Sequence, residues 1–158
     1  MSSGAGRIGI FRVEMTIERM RQREEIVRKW FSMWLQKRDL GIDEIFAPEA
    51  VYVESWGPEY HGAEKIRHWF NEWNSRGTVV RWDIRQFFHR DDQTVVEWTF
   101  CDEMADGRRE SFDGLSLIRW TAGGQIRSLQ EFGCNINRYD PYRDGPAPRF
   151  REEKAMWF

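Results

Sequence analysis

The second half of the chain contains four extended segments separated by short turn sequences, and this pattern limits the possible folds more than any other feature. The segments are broken at Asp91-Asp92, Asp106-Gly107 and Gly123-Gly124, dipeptides that suit tight hairpin turns. The breaks predict four strands, over Thr78–His89, Thr94–Met104, Arg109–Trp120 and Gln125–Asn135. Consecutive strands joined by hairpins run in opposite directions, so the pattern predicts an antiparallel sheet.

Two amphipathic segments precede these strands. From about Glu14 to Arg38, and again over Gly62–Arg76, apolar residues recur at spacings of three and four, which predicts two helices. Between them we expect a short helical turn over Ile42–Phe46 and a strand over Ala50–Trp56. Helices followed by a hairpin sheet predict an α+β fold, in which the N-terminal helices pack on the concave face of a curved antiparallel sheet.

The length of 158 residues predicts one domain. Residues 1–13 show little periodicity and are expected to form a flexible N-terminal arm, while residues 14–138 form the folded domain. Residues 139–158 contain three prolines and are expected to form an irregular tail with an apolar end at Met156, Trp157 and Phe158.

The charge and hydropathy of the chain exclude several classes of protein. The 24 basic and 26 acidic side chains give a net charge of -2, which argues against a nucleic-acid partner. No apolar run is long enough to span a membrane, and the first residues lack the order of a signal peptide, so we expect a cytoplasmic protein. Cys101 and Cys134 lie far apart, and the three histidines form no metal-binding motif. We therefore expect neither a metal nor a cofactor.

Aromatic residues make up 15% of the chain and include nine tryptophans. Such rings either fill a core or line a cavity. The positions of the predicted helices and strands assign Trp30, Trp56, Trp69 and Trp98 to the interior, on the concave side of the curved sheet. Core, sheet-face or tail positions are assigned to the remaining five: Trp34, Trp73, Trp82, Trp120 and Trp157.

Glu54 is the first candidate catalytic residue. On an alternating strand it shares a face with Tyr52 and Trp56, so its carboxylate lies between two rings. Partial loss of water would raise its pKa and make it a usable acid or base near neutral pH. The alternatives are a salt bridge to one of the many arginines, or an exposed face if the register of the strand is reversed.

Glu131 is the second candidate. The alternation of Leu129, Glu131 and Gly133 on the last strand places it on the side of the cavity in one of two possible registers. Two carboxylates in one apolar cone would differ in pKa and could act as an acid and a base. In the other register Glu131 pairs with Arg119 or Arg127 on the outside.

The order of elements, together with the motif Ile45-Phe46-Ala47-Pro48-Glu49-Ala50-Val51-Tyr52-Val53-Glu54, resembles the nuclear transport factor 2-like superfamily. That superfamily includes the SnoaL-like polyketide cyclases and the ketosteroid isomerases, and the resemblance covers roughly residues 16 to 136. It implies a cone-shaped, cystatin-like fold, but the fold itself hosts enzymes, binding modules and dimerisation domains.

The resemblance to ketosteroid isomerases also implies roles for individual residues. Glu54 holds the place of the aspartate that shuttles a proton in those enzymes. Trp30 stands where they have a tyrosine that donates to the oxyanion, and Ser116 stands where they have a protonated aspartate. Two of the three catalytic identities are therefore absent, which argues against steroid isomerisation.

The candidate ligand-binding residues are Trp30, Tyr52, Trp56, Trp69, Trp98 and Ser116. Three hypotheses remain open at this point: an enzyme of the isomerase, cyclase or dehydratase type that uses Glu54, a binding module for an apolar or aromatic small molecule, and a dimerisation domain. The superfamily often forms homodimers through its sheet, and an outer face carrying Phe87, Thr99 and Leu117 would bury apolar area in such a dimer.

Overall fold

The computed structural model describes residues 16–151 and contains three helices and six strands in that range. The predicted N-terminal arm and the apolar end at residues 156–158 lie outside the described residues. No helix in the described range is both long enough and apolar enough to cross a membrane. The elements are α1 (Ile17–Gln36), α2 (Ile42–Ile45), β1 (Phe46–Val53), β2 (Glu59–His61), α3 (Ala63–Arg76), β3 (Gly77–Arg90), β4 (Gln93–Met104), β5 (Arg109–Trp120) and β6 (Ile126–Asn135).

The ends of the helices follow local sequence signals. Thr16 caps α1, because its side chain accepts a hydrogen bond from the backbone N–H of Arg19 at 3.2 Å. The helix ends where Lys37 adopts a left-handed conformation, with φ of 53°. Gly77 ends α3, as the sequence predicts.

The six strands form one curved sheet in the order β2-β1-β6-β5-β4-β3, which confirms the predicted α+β fold. The three predicted hairpins are present, and the strands they join are antiparallel. One pairing differs from the expectation, because β1 and β6 run parallel. Because this pairing joins distant parts of the chain, no turn sequence predicts it. The short strand β2, paired with β1, also has no clear signal in the sequence.

Phe87 lies on the opposite face of the sheet from the one expected. A β-bulge between Ile84 and Gln86 inserts one extra residue into β3, so the side chains beyond it change faces. Phe87 consequently packs against the core, and the guanidinium of Arg28 on α1 lies 5.1 Å from its ring centre. Thr99 does lie on the outer face, where it bonds to Asp113 at 2.9 Å.

Aromatic rings make up much of the core, where the two long helices pack against the inner face of the sheet. Trp30 of α1 is fully buried and packs edge-on against Trp34, Phe46 and Tyr52, with ring centres 5.0 to 5.9 Å apart. On β4, Val96, Trp98 and Phe100 point inward, as the strand alternation predicts. The helices thus cover one part of the concave face and leave the rest of it as a cavity wall.

A single glycine makes room for the central ring of this wall. Gly114 lies opposite Trp98 across β4 and β5, and a Cβ atom at Gly114 would lie 2.2 Å from the indole ring. We therefore expect Gly114→Ala to overpack the sheet and lower the free energy of unfolding by about 1 to 3 kcal/mol, measured by urea denaturation.

Gly133 offers a matched control, because it pairs directly with Gly114 on the neighbouring strand. A Cβ at Gly133 would meet no atom closer than 3.5 Å. Gly133→Ala should therefore stay within about 1 kcal/mol of the wild type. Equal stability losses in the two variants would contradict the assigned packing of Trp98.

Candidate functional site

A pocket of about 760 Å³ lies between α3, the end of β1 and the inner face of strands β3 to β6. Its size is in the range of small-molecule binding sites. Its interior wall is mainly aromatic, and the exposed side chains at its rim are mostly charged. The rings of the wall are those of Trp34, Tyr52, Tyr60, Trp69, Trp73, Trp82, Trp98, Phe100 and Phe112, and the exposed rim residues are Trp56, Lys65, His68, Glu72, Arg76 and Arg108.

The aromatic wall is held together by ring contacts between helices and sheet. Trp69 of α3 lies 4.8 Å from Trp34 of α1 and stacks on Tyr60 of β2 at 4.6 Å, measured between ring centres. On the sheet, Trp82 packs edge-on against Trp98 at 5.7 Å. These contacts fix the shape of the pocket and surround its polar groups with aromatic side chains.

Glu54 follows the last residue of β1 and lines this pocket. Its two carboxylate oxygens accept hydrogen bonds from the Tyr60 hydroxyl at 2.5 Å and from the Trp56 indole N–H at 3.1 Å. Burial raises the pKa of Glu54, while the two donors and the charge of Arg76 oppose that rise. Glu54 is thus a partly desolvated carboxylate with a fixed orientation.

Glu131 lines the same pocket from the middle of β6. The hydroxyl of Tyr52, a fully buried side chain of β1, donates a hydrogen bond to its carboxylate. The pKa of Glu131 is raised to about 8, chiefly by burial. The Tyr52 hydrogen bond opposes this rise, and the charge of Glu54 adds to it. At neutral pH the carboxyl group of Glu131 is therefore mostly protonated.

Two carboxyl groups therefore line one aromatic-walled pocket. Each is held by a tyrosine hydroxyl, and the charge of Glu54 raises the pKa of Glu131. Neither carboxyl group forms an ion pair within residues 16–151, so the salt bridge considered for Glu54 is absent there. Arg127, considered as an outer partner of Glu131, instead pairs with Asp92 at 3.3 Å.

Six of the eight candidate residues from the sequence meet in this pocket: Tyr52, Glu54, Trp56, Trp69, Trp98 and Glu131. Trp30 and Ser116 are not part of its lining. Trp30 lies in the core behind the ring of Tyr52, and Ser116 is buried beneath Trp98, whose indole N–H donates to its hydroxyl at 2.9 Å. Both residues support lining residues from behind.

The sequence reasoning missed other lining residues. Trp34, Trp73 and Trp82 are expected in the core or the sheet but line the pocket. The sequence does not distinguish these two positions, because core rings and pocket rings lie on the same face of the helices and the sheet. Tyr60 lies on the unpredicted strand β2. Asp102, by contrast, could have been found, since it continues the inward alternation of Trp98 and Phe100 along β4.

Metal binding is a separate question. In the described part of the chain, no three or more His, Cys, Asp or Glu side chains are grouped so that they could hold a metal ion.

Comparison with solved structures shows the same fold in several bacterial proteins of low sequence identity. A protein with a ketosteroid isomerase-like fold from Catenulispora acidiphila, solved in complex with trimethylamine, is 22% identical, with a TM-score of 0.58 over 68% of this chain and 84% of that one. An NTF2-like protein of unknown function from Mesorhizobium loti is 20% identical, with a TM-score of 0.60 over 77% and 98%. An LEH-like epoxide hydrolase from M. tuberculosis is 11% identical, with a TM-score of 0.64 over 72% and 84%.

No curated protein matches the chain significantly. The sequence model of the SnoaL-like domain matches residues 27–129, from the middle of α1 to β6. This range includes β1, α3 and strands β3 to β5, and it ends within β6, two residues before Glu131. Because the match spans more than half of the chain, the protein belongs to the SnoaL-like domain family.

Proposed function

We propose that the protein binds a small apolar or cyclic molecule in its aromatic pocket and moves a proton on it through Glu54 and Glu131. One observation carries this proposal: two carboxyl groups share an aromatic-walled cavity, each is held by a tyrosine hydroxyl, and neither forms an ion pair in residues 16–151. Such a pair suits isomerisation, cyclisation or dehydration, in which one group removes a proton and another delivers one.

The two carboxyl groups have different parts in this proposal. Glu54, at the end of β1 and nearer the exposed rim residue Trp56, is the base that accepts a proton from carbon or oxygen of the ligand. Glu131, whose pKa is raised to about 8, is the acid that donates its proton to a ligand atom that gains negative charge. Tyr52 and Tyr60 orient the two groups.

Similar proteins support a small-molecule ligand. One was solved with trimethylamine and another is described as an epoxide hydrolase, so this fold accommodates small molecules elsewhere. Because their identity with this chain is low, they support the class of ligand and do not identify it.

The proton-transfer proposal can be tested with 5-nitrobenzisoxazole, an apolar aromatic probe. A base removes its C3 proton while the N–O bond breaks, and the released phenolate is followed by its absorbance. We expect the wild type to accelerate this reaction and Glu54→Gln to lower kcat/KM at least tenfold, since a positioned general base contributes about 10²- to 10⁴-fold.

Glu59→Gln is the matched control, because Glu59 lies close to Glu54 in sequence but outside the pocket, where it pairs with His61 at 2.7 Å. This variant should react like the wild type. Equal rates in the wild type and in Glu54→Gln would contradict the proposed base.

A second candidate function is binding without turnover. It is favoured by the positions of Trp30 and Ser116, which stand where ketosteroid isomerases have their oxyanion donors but do not reach the pocket. The two functions differ in one observable result. Tight binding of a ligand that survives Glu54→Gln, with no chemical change of that ligand in the wild type, supports the binding module.

We also propose that the outer face of the sheet forms a homodimer interface. Leu115 and Phe132 are direct cross-strand partners on β5 and β6, and their side chains are 42% and 48% exposed. Covering this apolar pair would stabilise a dimer. Sedimentation velocity should show a dimer for the wild type and a monomer for Phe132→Asp, and a wild-type monomer at all concentrations would contradict the proposal.

A further inference from the structure

A second pair of carboxyl groups lines the pocket and has no part in the proton transfer proposed above. Asp102 on β4 and Glu110 on β5 are direct cross-strand partners, and both belong to the lining. They lie on the inner face of the sheet, one row beyond the ring pair Phe100 and Phe112. Adjacent rows on one face of a strand are about 7 Å apart, so the carboxyl groups border these rings.

Asp102 is buried, with 6% of its surface exposed, yet its charge is poorly compensated. Its Oδ1 accepts one hydrogen bond, from the backbone N–H of Glu110 at 3.2 Å, and its Oδ2 has no partner within residues 16–151. The charge of Arg108, a basic residue of the lining, lowers the pKa of Asp102, but its guanidinium forms its hydrogen bond with Asp106 at 2.9 Å. Asp102 therefore forms no ion pair within residues 16–151, and its burial outweighs the distant charge of Arg108, so a second positive charge placed beside it would stabilise the carboxylate.

The neighbouring rings would favour the same kind of group. Phe100 packs edge-on against Trp82 at 5.2 Å and lies 5.1 Å from Phe112, so three ring systems meet beside Asp102. The faces of aromatic rings carry negative electrostatic potential and attract cations, above all alkylated ammonium groups that are weakly hydrated.

The titration of the pair agrees with this electrostatic picture. Burial, followed by the charge of Glu110, raises the pKa of Asp102 to about 6 against the opposing effects of its backbone hydrogen bond and of Arg108. Burial also raises the pKa of Glu110 against the charge of Arg108. A bound cation would reverse these shifts by stabilising the charged carboxylates. Cation binding should therefore release protons from the protein.

We propose that the pocket recognises a ligand with an alkylated ammonium group, which is bound by Asp102 and Glu110 and by the rings of Trp82, Phe100 and Phe112. This inference rests on the proposed binding of a small molecule in the same pocket and adds the chemical class of that molecule. The apolar part of the ligand then extends along the aromatic wall.

The ammonium subsite is separate from the acid–base pair. Glu131 is the cross-strand partner of Ser116, which lies six residues along β5 from Glu110. Six residues of strand correspond to about 20 Å of extended chain, so one small group cannot contact both pairs. The ligand therefore has its cationic group at one end and its reacting atoms at the other.

The experiment compares two molecules of nearly equal shape, phenyltrimethylammonium and tert-butylbenzene, in which a carbon replaces the charged nitrogen. Binding is followed by quenching of tryptophan fluorescence at pH 7.5. We expect the cation to bind at least tenfold more tightly than the neutral molecule. In the Asp102→Asn, Glu110→Gln double variant, the ratio of the two dissociation constants should fall to about one.

Glu103→Gln is the matched control, because Glu103 is next to Asp102 on β4 but exposed and paired with Arg109 at 3.0 Å outside the pocket. It should keep the preference of the wild type. Circular dichroism checks the folding of the double variant. Calorimetry of the wild type in buffers of different ionisation enthalpy measures the released protons without any substitution.

The preference for the cation should also weaken at pH 5, where Asp102 is protonated. Other charged groups also face the pocket. They are unchanged in every variant, so comparing the same two ligands keeps their contribution to the binding ratio the same. These groups are Glu54 and Glu131 on the sheet side, Lys65, His68, Glu72 and Arg76 on α3, and Arg108 after β4.

The outcomes separate the inference from the proposed function. A tenfold preference that is lost in the double variant, together with proton release, supports the ammonium subsite. Equal binding of both molecules by the wild type overturns the subsite and leaves the apolar pocket as proposed. Binding of neither molecule overturns both.

Discussion

The burial of Glu131 against the aromatic wall is the constraint on which the other properties of the pocket depend. Its carboxyl group projects from the middle of β6 into a cavity walled by rings, and its charge is not balanced by any arginine or lysine within residues 16–151. Burial of the charged form is unfavourable, so the group holds its proton up to a pKa of about 8. An acid that is still protonated at neutral pH is what proton-transfer chemistry requires.

Tyrosine hydroxyls take the place of cationic partners at both carboxyl groups. Tyr52 donates to Glu131 and Tyr60 donates to Glu54, and both hydroxyls belong to the edge of the sheet formed by β1 and β2. A neutral donor orients a carboxyl group without holding its pKa as low as an arginine would. In the same pocket Asp102 also forms no ion pair within residues 16–151, and this is the position at which we propose that a ligand's ammonium group binds.

The sequence predicts most of the fold, because the fold follows from local patterns. The turn at Asp106-Gly107 and the alternation of Trp98 and Phe100 are visible in a single segment, and both match the structure. The parallel pairing of β1 with β6 and the bulge at Arg85 are not local, because both depend on which strand lies alongside. The bulge is why Phe87 faces the core although simple alternation places it outside.

The site is predicted less completely than the fold. Strand alternation predicts that Glu54 and Trp98 face one cavity and leaves two registers open for Glu131; in the structure all three residues line the pocket. Alternation cannot separate a ring that fills the core from a ring that borders empty space, because both lie on the same face. For this reason Trp30 is expected in the pocket and lies behind it, whereas Trp82 is expected in the core and lines the pocket.

The most direct test of this account is the titration of Glu131 in the folded protein. With ¹³C-labelled glutamate, the carboxyl carbon signal of Glu131 can be assigned by its absence in Glu131→Gln and followed by NMR from pH 4 to pH 9. The account predicts a midpoint near pH 8, well above the 4.5 of an ordinary glutamate. A midpoint near 4.5 in the folded protein would show that water reaches the carboxylate, and would contradict the water-poor acid–base pocket.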